Sequence, residues 1–119
     1  MATLKRINLS GCTNGIPVGL AADSGTFTTI HSITTTVADY EEVWVWLANT
    51  DTSQQIVTLT FGGTAANNKV MVKVPAETTV LAVPGWTFKG ASGPNIITGA
   101  SGTADKVNVH GYVNHFDDA

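Results

Sequence analysis

Residues 40–63 constrain the fold more than any other part of the chain, because they contain two runs of apolar side chains that alternate at period two. Alternation among β-branched and aromatic residues predicts β-strands. The first run is apolar on both faces, one formed by Val43, Val45 and Leu47 and the other by Trp44, Trp46 and Ala48. One face can line the core of a domain. The other needs a second layer, a ligand or a neighbouring subunit to cover it.

The second run places Val57, Leu59 and Phe61 on one face and ends at a pair of glycines. Residues 49–53, between the two runs, have short polar side chains that hydrogen-bond their own backbone and favour turns. We therefore expect the two runs to pair as an antiparallel hairpin.

The rest of the chain repeats this pattern of short strands separated by turns. Further strand-like runs cover residues 16–22, 26–36, 69–74, 78–83, 86–89, 95–98 and 106–115. The run 26–36 needs a β-bulge to reset its alternation. About eight short strands at spacings of roughly 8–12 residues predict an all-β fold. The expected architecture is a single antiparallel β-sandwich, jelly-roll-like or a Greek key, in one domain of residues 1–119.

The N-terminal residues 1–9 carry no partner signal of their own. They are predicted either as a first strand or as an arm that reaches a neighbour. Lys5 and Arg6 form the only adjacent basic pair in the chain.

Charged residues make up 13% of the chain, about half of the usual share of roughly a quarter. Such a surface is common in all-β extracellular or virion proteins and unusual in a cytosolic enzyme. The net charge is −3 with no basic block and no basic amphipathic segment, which argues against nucleic-acid and membrane partners. Because no run resembles a signal peptide or a membrane-spanning helix, we expect a chain made in the cytoplasm. The single cysteine, Cys12, permits no disulfide within the chain and is expected to be a small buried or loop residue.

The residues that could carry catalysis or bind a metal are scattered. His110 and His115 lie five positions apart on one predicted strand, so they point to opposite faces and cannot easily share a metal. The adjacent pair Glu41-Glu42 faces apart, unlike the paired carboxylates of a glycosidase. His115 with Asp117 and Asp118 is a possible weak metal site, although a solvated tail is the simpler interpretation. We therefore expect no catalytic residue, no metal and no cofactor.

The three tryptophans are many for a chain of this length. Trp44 and Trp46 have two interpretations, packing in the core or an apolar patch for a sugar or a subunit. Trp86 follows Pro84-Gly85 at a predicted strand start, and it is the one expected nearest a rim.

Five short motifs within residues 42–115 follow one another in the order found in a family of small tailed-phage virion proteins. They are Ala48-Asn49-Thr50, Phe61-Gly62-Gly63-Thr64, Val74-Pro75-Ala76, Val83-Pro84-Gly85 and the final-strand residues 109–114. Each motif is turn chemistry and weak alone, and their order gives the match its specificity. The chain resembles this family over roughly its last two-thirds.

The resemblance implies a non-enzymatic structural protein of the virion, namely a capsid decoration (cement) protein that binds the outer capsid surface and stabilises the head. Its partners would be the major capsid protein and further copies of itself, with a trimer favoured. The candidate interface residues on this hypothesis are Lys5, Arg6, Ile7, Trp44, Trp46 and Trp86. Two alternatives stay open: a tail or head–tail connector protein, and a carbohydrate-binding β-sandwich module in which exposed tryptophans stack on sugars.

Overall fold

The computed structural model of the chain describes residues 3–63, 65–93 and 95–117. Their secondary structure consists of strands and two short 3-10 turns, Thr13–Gly15 and Ala66–Asn68. The strands are β1 (Thr3–Asn8), β2 (Val18–Gly19), β3 (Ala21–Ala22), β4 (Thr28–Ser32), β5 (Tyr40–Asn49), β6 (Gln55–Phe61), β7 (Lys69–Val74), β8 (Thr79–Lys89), β9 (Ile96–Ser101) and β10 (Val107–Asp117).

The strands form two sheets. In sheet A, β1 and β2 both pair with β10, β10 pairs with β5, and β5 pairs with β8. In sheet B, β3 and β4 both pair with β9, β9 pairs with β6, and β6 pairs with β7. Every pairing is antiparallel except the short parallel contact of β3 with β9. If β1 with β2, and β3 with β4, are each counted as one interrupted strand, the order is that of an eight-stranded jelly roll. The predicted all-β sandwich is confirmed.

The core lies between the two sheets. Val43, Val45 and Leu47 of β5 are fully buried and belong to the same apolar cluster as Val57 and Leu59 of β6. These are the inward-facing members of the two alternating runs, so the period-two pattern identifies the core side of both strands.

Cys12 is part of this core, as predicted for a small buried residue. Its Sγ lies 3.6 Å from the backbone oxygen of Val109 on β10. Burial raises the pKa of the thiol, so the neutral form is favoured.

The predicted hairpin of residues 40–63 is wrong, because β5 lies in sheet A and β6 in sheet B. The connection is a corner between the sheets. Asn49 holds this corner: its Nδ2 donates hydrogen bonds to the backbone oxygens of Ser53 (3.0 Å), Val74 (3.0 Å) and Pro75 (3.2 Å). These bonds tie the end of β5 to the end of β7 in the opposite sheet, so the chain crosses the sandwich at this point.

Two further predictions meet different outcomes. The predicted bulge in residues 26–36 is confirmed, because the register of β4 against β9 shifts between Thr29 and His31. The predicted turn at Pro84-Gly85 is wrong, because β8 continues through it as one strand with a bulge opposite Val43 and Trp44. Gly85 has φ +76°, a conformation that side-chain-bearing residues rarely adopt.

The N-terminal segment forms a strand over the residues that the structure describes. β1 pairs with β10 along its whole length, from Thr3 opposite Asp117 to Asn8 opposite Tyr112. Met1 and Ala2 of the predicted arm lie outside the described residues, as do Thr64 of the second turn motif, Pro94, and Asp118 of the weak metal site.

Candidate binding surface

The outer face of sheet A carries a continuous group of aromatic rings. Trp44 and Trp46 of β5 alternate with the buried valines and point away from the core, and both are partly buried. In register, Tyr112 of β10 lies opposite Trp44, and His110 lies opposite Trp46. We call these four residues the aromatic face.

The rings of the aromatic face are close and several are nearly parallel. The centroids of Trp44 and Trp46 are 6.3 Å apart with an angle of 21° between the ring planes. Trp44 and Tyr112 are 6.1 Å apart at 19°, and Trp46 and His110 are 5.9 Å apart at 11°. Offset, near-parallel contacts at this distance are favourable, so the rings support one another's positions.

Glycine on the flanking strand makes room for the first of these rings. A methyl group at Gly85 of β8 would lie 2.7 Å from Cζ2 of Trp44 and 3.0 Å from Cε2. The indole therefore rests against the backbone of β8 at its bulge. The third position of the Val83-Pro84-Gly85 motif is thus explained by packing within this chain.

A hydrogen-bonded polar group borders the aromatic face. Glu42 Oε1 accepts bonds from Nε1 of Trp44 (2.8 Å) and from Nδ2 of Asn114 (2.9 Å). The bond from Trp44, followed by that from Asn114, lowers the pKa of the Glu42 carboxyl. On the other side, the Arg6 guanidinium lies 4.5 Å from the centroid of the Tyr112 ring, a cation–π contact. A carboxylate and a guanidinium therefore stand beside the rings at one end of the face.

Exposed apolar side chains extend this surface in both directions. Leu81 of β8, opposite Trp46 in register, is 41% exposed. At the other end, Leu4, Tyr40 and Phe116 are also exposed large apolar residues, and they lie in one row across β1, β10 and β5. Among the described residues, no other strand lies over this side of sheet A. The described part of the single chain therefore leaves the outer apolar face of β5 without a covering layer.

A second cluster of polar groups occupies the inner side of the same sheet at one end. Glu41 is 2% exposed, and its two carboxylate oxygens bind different histidines. Oε1 lies 2.9 Å from Nε2 of His31, and Oε2 lies 2.8 Å from Nδ1 of His115. Nε2 of His115 in turn lies 2.9 Å from Oδ2 of Asp39. We call His31, Asp39, Glu41 and His115 the Glu41 cluster.

The hydrogen bonds of this cluster fix the protonation of both rings. Nδ1 of His31 accepts the backbone N–H of Ser10 at 3.0 Å, so the proton of a neutral His31 is on Nε2 and is donated to Glu41. Both nitrogens of His115 face carboxylate oxygens, so His115 donates twice as an imidazolium. Its bond to Glu41 is the main cause that raises the pKa of His115; burial opposes this and the bond to Asp39 adds to it. Burial alone would raise the pKa of Glu41, but bonds from His31 and His115 outweigh it and lower that pKa.

The sequence did not predict the Glu41 cluster. The expectation that Glu41 and Glu42 face apart is confirmed, as is the expectation for His110 and His115. The alternation also placed Glu41 on the same face as Val43, and this was the signal that its carboxyl would be buried. Both ring nitrogens of His115 are bonded to carboxylates, so it is neither a solvated tail residue nor free for a metal. Across the described ranges, no group of three or more His, Cys, Asp and Glu side chains is arranged to hold a metal ion.

The six candidate interface residues do not form one surface. Trp44, Trp46 and Arg6 come together at the aromatic face. Ile7 packs against the core cluster instead, and Lys5 lies opposite His115 in register, on the side of sheet A that carries the Glu41 cluster.

Trp86 lies apart from the other two tryptophans. Its ring contacts Phe61 of β6 at 5.3 Å, and Phe61 stacks on Phe88 of β8 at 5.9 Å. It is 38% exposed, at an edge of the sandwich. Beside this aromatic group lies a cavity of about 130 Å³, whose lining includes Ile33, Phe61, Phe88 and Ile97.

No family model and no curated protein matches the chain. Two solved structures of an exo-β-1,3-galactanase from Phanerochaete chrysosporium align with it. The complex with galactose is 22% identical with a TM-score of 0.49, and the alignment covers 97% of this chain and 27% of that one. A variant with β-1,3-galactotriose is 24% identical with a TM-score of 0.46, covering 92% and 27%. Both TM-scores lie below 0.5, and the chain spans about a quarter of the length of these structures. Within the described residues, no helix is long and apolar enough to cross a membrane.

Proposed function

We propose that this chain is a non-enzymatic structural protein of a tailed-phage virion, a capsid decoration protein that uses the aromatic face as its contact surface. The observation that carries the proposal is that β5 of sheet A is apolar on both sides, while the described residues cover only its inner side. A neighbouring subunit or the capsid would supply the missing cover on the outer side.

The order of the five turn motifs supports a virion protein, because it resembles the order in a family of small tailed-phage virion proteins. In this chain the motif residues hold corners and bulges: Asn49 joins two sheets, and Gly85 accommodates Trp44. They therefore account for a shared fold, and the proposed role rests on the resemblance together with the uncovered face. The jelly roll is a fold used by viral capsid proteins and also by lectins, so the fold alone does not choose between these roles.

The size of the face suits a protein that acts in many copies. The outer side of sheet A spans four strands about 4.8 Å apart and about five two-residue repeats of about 6.8 Å, which gives an area of about 650 Å². A stable pairwise interface buries about 800 Å² on each partner, so this face alone would give a weak contact. On a capsid, repetition of weak contacts across subunit boundaries adds up to strong attachment, and self-association as a trimer would add further contacts.

The test is the copy number of this chain in purified particles of the phage that encodes it, by quantitative mass spectrometry against the major capsid protein. The proposal predicts hundreds of copies in a simple ratio to the capsid subunit. A handful of copies would identify a tail or connector protein instead. Absence from particles would overturn the virion proposal.

A second candidate function is carbohydrate binding at the same face. It is favoured by the near-parallel rings of Trp44, Trp46 and Tyr112 beside the charged groups of Glu42 and Arg6, since sugars present both apolar faces and hydroxyl groups. Titration of the protein with a panel of neutral oligosaccharides, followed by tryptophan fluorescence, tests it. Saturable changes that are lost in Trp46→Ala would favour this function over the first.

A further inference from the structure

The Glu41 cluster joins parts of the chain that are far apart in sequence. His31 belongs to β4 of sheet B, Asp39 precedes β5, Glu41 lies in β5, and His115 lies near the end of β10. The bonds at 2.8–2.9 Å therefore hold sheet B and the segment between β4 and β5 against the end of sheet A.

The cluster also borders the apolar cavity of about 130 Å³. Glu41 is opposite Phe88 in register, and Phe88 lines the cavity. The backbone N–H of Thr34 donates to Oε1 of Glu41 at 3.1 Å, and the preceding residue, Ile33, also lines the cavity. The Glu41 side chain thus holds the Ile33 side of the cavity through Thr34, and the pairing of β5 with β8 places Phe88 on the other side.

We propose that the Glu41 cluster is a pH-operated latch that keeps this end of the sandwich closed while His115 carries its proton and opens it towards the apolar cavity when His115 loses that proton. The inference is independent of the proposed virion function. Histidine is the side chain that ordinarily titrates between pH 5 and 8, so its charge is the one that changes under mild conditions.

The physical cause of the opening lies in the two hydrogen bonds that the His115 ring makes. An imidazolium donates both N–H groups, one to Glu41 and one to Asp39. When one proton leaves, one ring nitrogen presents a lone pair to a carboxylate oxygen less than 3 Å away, and two carboxylates remain close together with less positive charge between them.

Other charged groups face the cluster from neighbouring elements. Lys5 of β1 lies opposite His115 in register, and Asp117 lies two residues further along β10. Lys89 of β8 also lines the cavity, but its ammonium lies 4.5 Å from the centroid of the Tyr40 ring, on the outer side of sheet A. These groups belong to the electrostatic surroundings in which His115 titrates. They are left unchanged in the variant His115→Gln and in its control, His110→Gln.

The direction in which stability changes with pH follows from the raised pKa of His115. Because the pKa of His115 is raised in the folded chain, its contribution to stability is fully present below the ordinary histidine value of about 6.5. That contribution is lost as the pH rises through the higher folded value. The latch therefore opens above about pH 6.5, as the pH rises through the raised pKa of His115.

The test is a pH titration of the wild-type chain from 6 to 9.5, with the ring nitrogens of His115 followed by ¹⁵N NMR, opening by fluorescence of an apolar dye and overall fold by far-UV circular dichroism. We expect dye fluorescence to rise together with the deprotonation of His115 while the strand signal is retained. A neutral His115 ring at pH 6.5, or deprotonation without any rise in dye binding, would overturn the proposal.

A pair of variants gives a second readout. In His115→Gln, the fall of Tm between pH 6 and 9 that we expect in the wild type, on the order of 4 °C, should be absent. In the control His110→Gln, which changes a histidine on the opposite face of the same strand, the fall should persist. An equal pH dependence of Tm in wild type and His115→Gln would contradict the latch. If His115→Gln does not fold, the NMR and dye titrations of the wild type still decide.

Discussion

Glu41 and Glu42 are adjacent in β5 and bind on opposite sides of sheet A. Glu41 is buried on the inner side, where its carboxylate joins His31 and His115. Glu42 is on the outer side and joins Trp44 and Asn114 beside the aromatic face. One pair of neighbouring carboxylates therefore serves both the internal latch and the proposed contact surface.

The first prediction concerns replacement of the buried carboxylate. Glu41→Gln puts an amide N–H where Oε2 accepts the bond from Nδ1 of His115, so two donors meet and the imidazolium loses a counter-charge. We expect the free energy of unfolding in urea at pH 6 to fall by about 3 kcal/mol, the cost of breaking a buried ion pair.

The neighbouring Glu42→Gln is its control. The remaining amide oxygen can still accept the bonds from Trp44 and Asn114, so we expect a loss of less than about 1 kcal/mol. Equal losses in the two variants would mean that the Glu41 cluster contributes no more to the free energy of unfolding than the hydrogen bonds of Glu42 do.

The second prediction is the acid side of the stability profile. Because the pKa of Glu41 is lowered in the folded chain, its contribution is present above the ordinary glutamate value of about 4.3 and is lost as the pH falls through the lower folded value. Together with the opposite sign for His115, this gives a stability maximum between about pH 4.3 and 6.5 in urea unfolding. In Glu41→Gln the acid limb should be shallower than in wild type; an unchanged acid limb would assign the loss to other carboxylates.

The third prediction concerns the bulge under Trp44. Gly85→Ala adds a methyl group 2.7 Å from the indole at a residue with φ +76°. Strain in the backbone and displacement of the ring together should cost about 2–3 kcal/mol, measured as a lower Tm with altered tryptophan fluorescence. Gly93→Ala is the matched control, since no atom lies within 4 Å of the added carbon, and its Tm should stay within about 2 °C of wild type. A stable Gly85→Ala with unchanged fluorescence would contradict the packing described here.

The fourth prediction concerns the corner between the sheets. Asn49→Ala removes the amide group that donates to three backbone oxygens, two of which belong to Val74 at the end of β7 and to Pro75 just after it. We expect the free energy of unfolding to fall by about 2 kcal/mol. Asn67→Ala, at an exposed position in the second 3-10 turn, should change it by less than about 0.5 kcal/mol. If the two variants were equally stable, the corner would depend on something other than Asn49.

The sequence predicted strands better than their partners. The alternation of residues 69–74 matches β7 to the residue, because one side of that strand is apolar and the other carries lysines. Alternation fixes which residues share a face, but it contains no information about which sheet a strand joins. The hairpin prediction failed for this reason: the polar residues after β5 do form a turn, and the side chain of Asn49 directs it across the sandwich.

The candidate site was predictable only in part. The two apolar faces of β5 predicted a surface that needs a cover, but for Trp44 and Trp46 the sequence left core packing and an apolar patch both open. The structure places both rings on the outer face. His110 and Tyr112 join them through the pairing of β10 with β5, a contact between residues more than sixty positions apart that local patterns cannot give. Local patterns also could not give the surroundings of Trp86, because its partner Phe61 comes from the opposite sheet.

The central claim, that the aromatic face is the contact surface, is tested most directly by one charge placed at its edge. Leu81→Asp adds a carboxylate at a 41% exposed position beside Trp46, where the single chain needs no apolar side chain for its core. Met71→Asp, on β7 of the opposite sheet at a 64% exposed position, is the matched control. The measurement is the occupancy of purified capsids stripped of this protein and then incubated with each variant. We predict that Leu81→Asp loses at least tenfold in affinity while Met71→Asp binds as wild type. Undiminished binding of Leu81→Asp, with the loss appearing in Met71→Asp, would place the contact on sheet B and contradict the account.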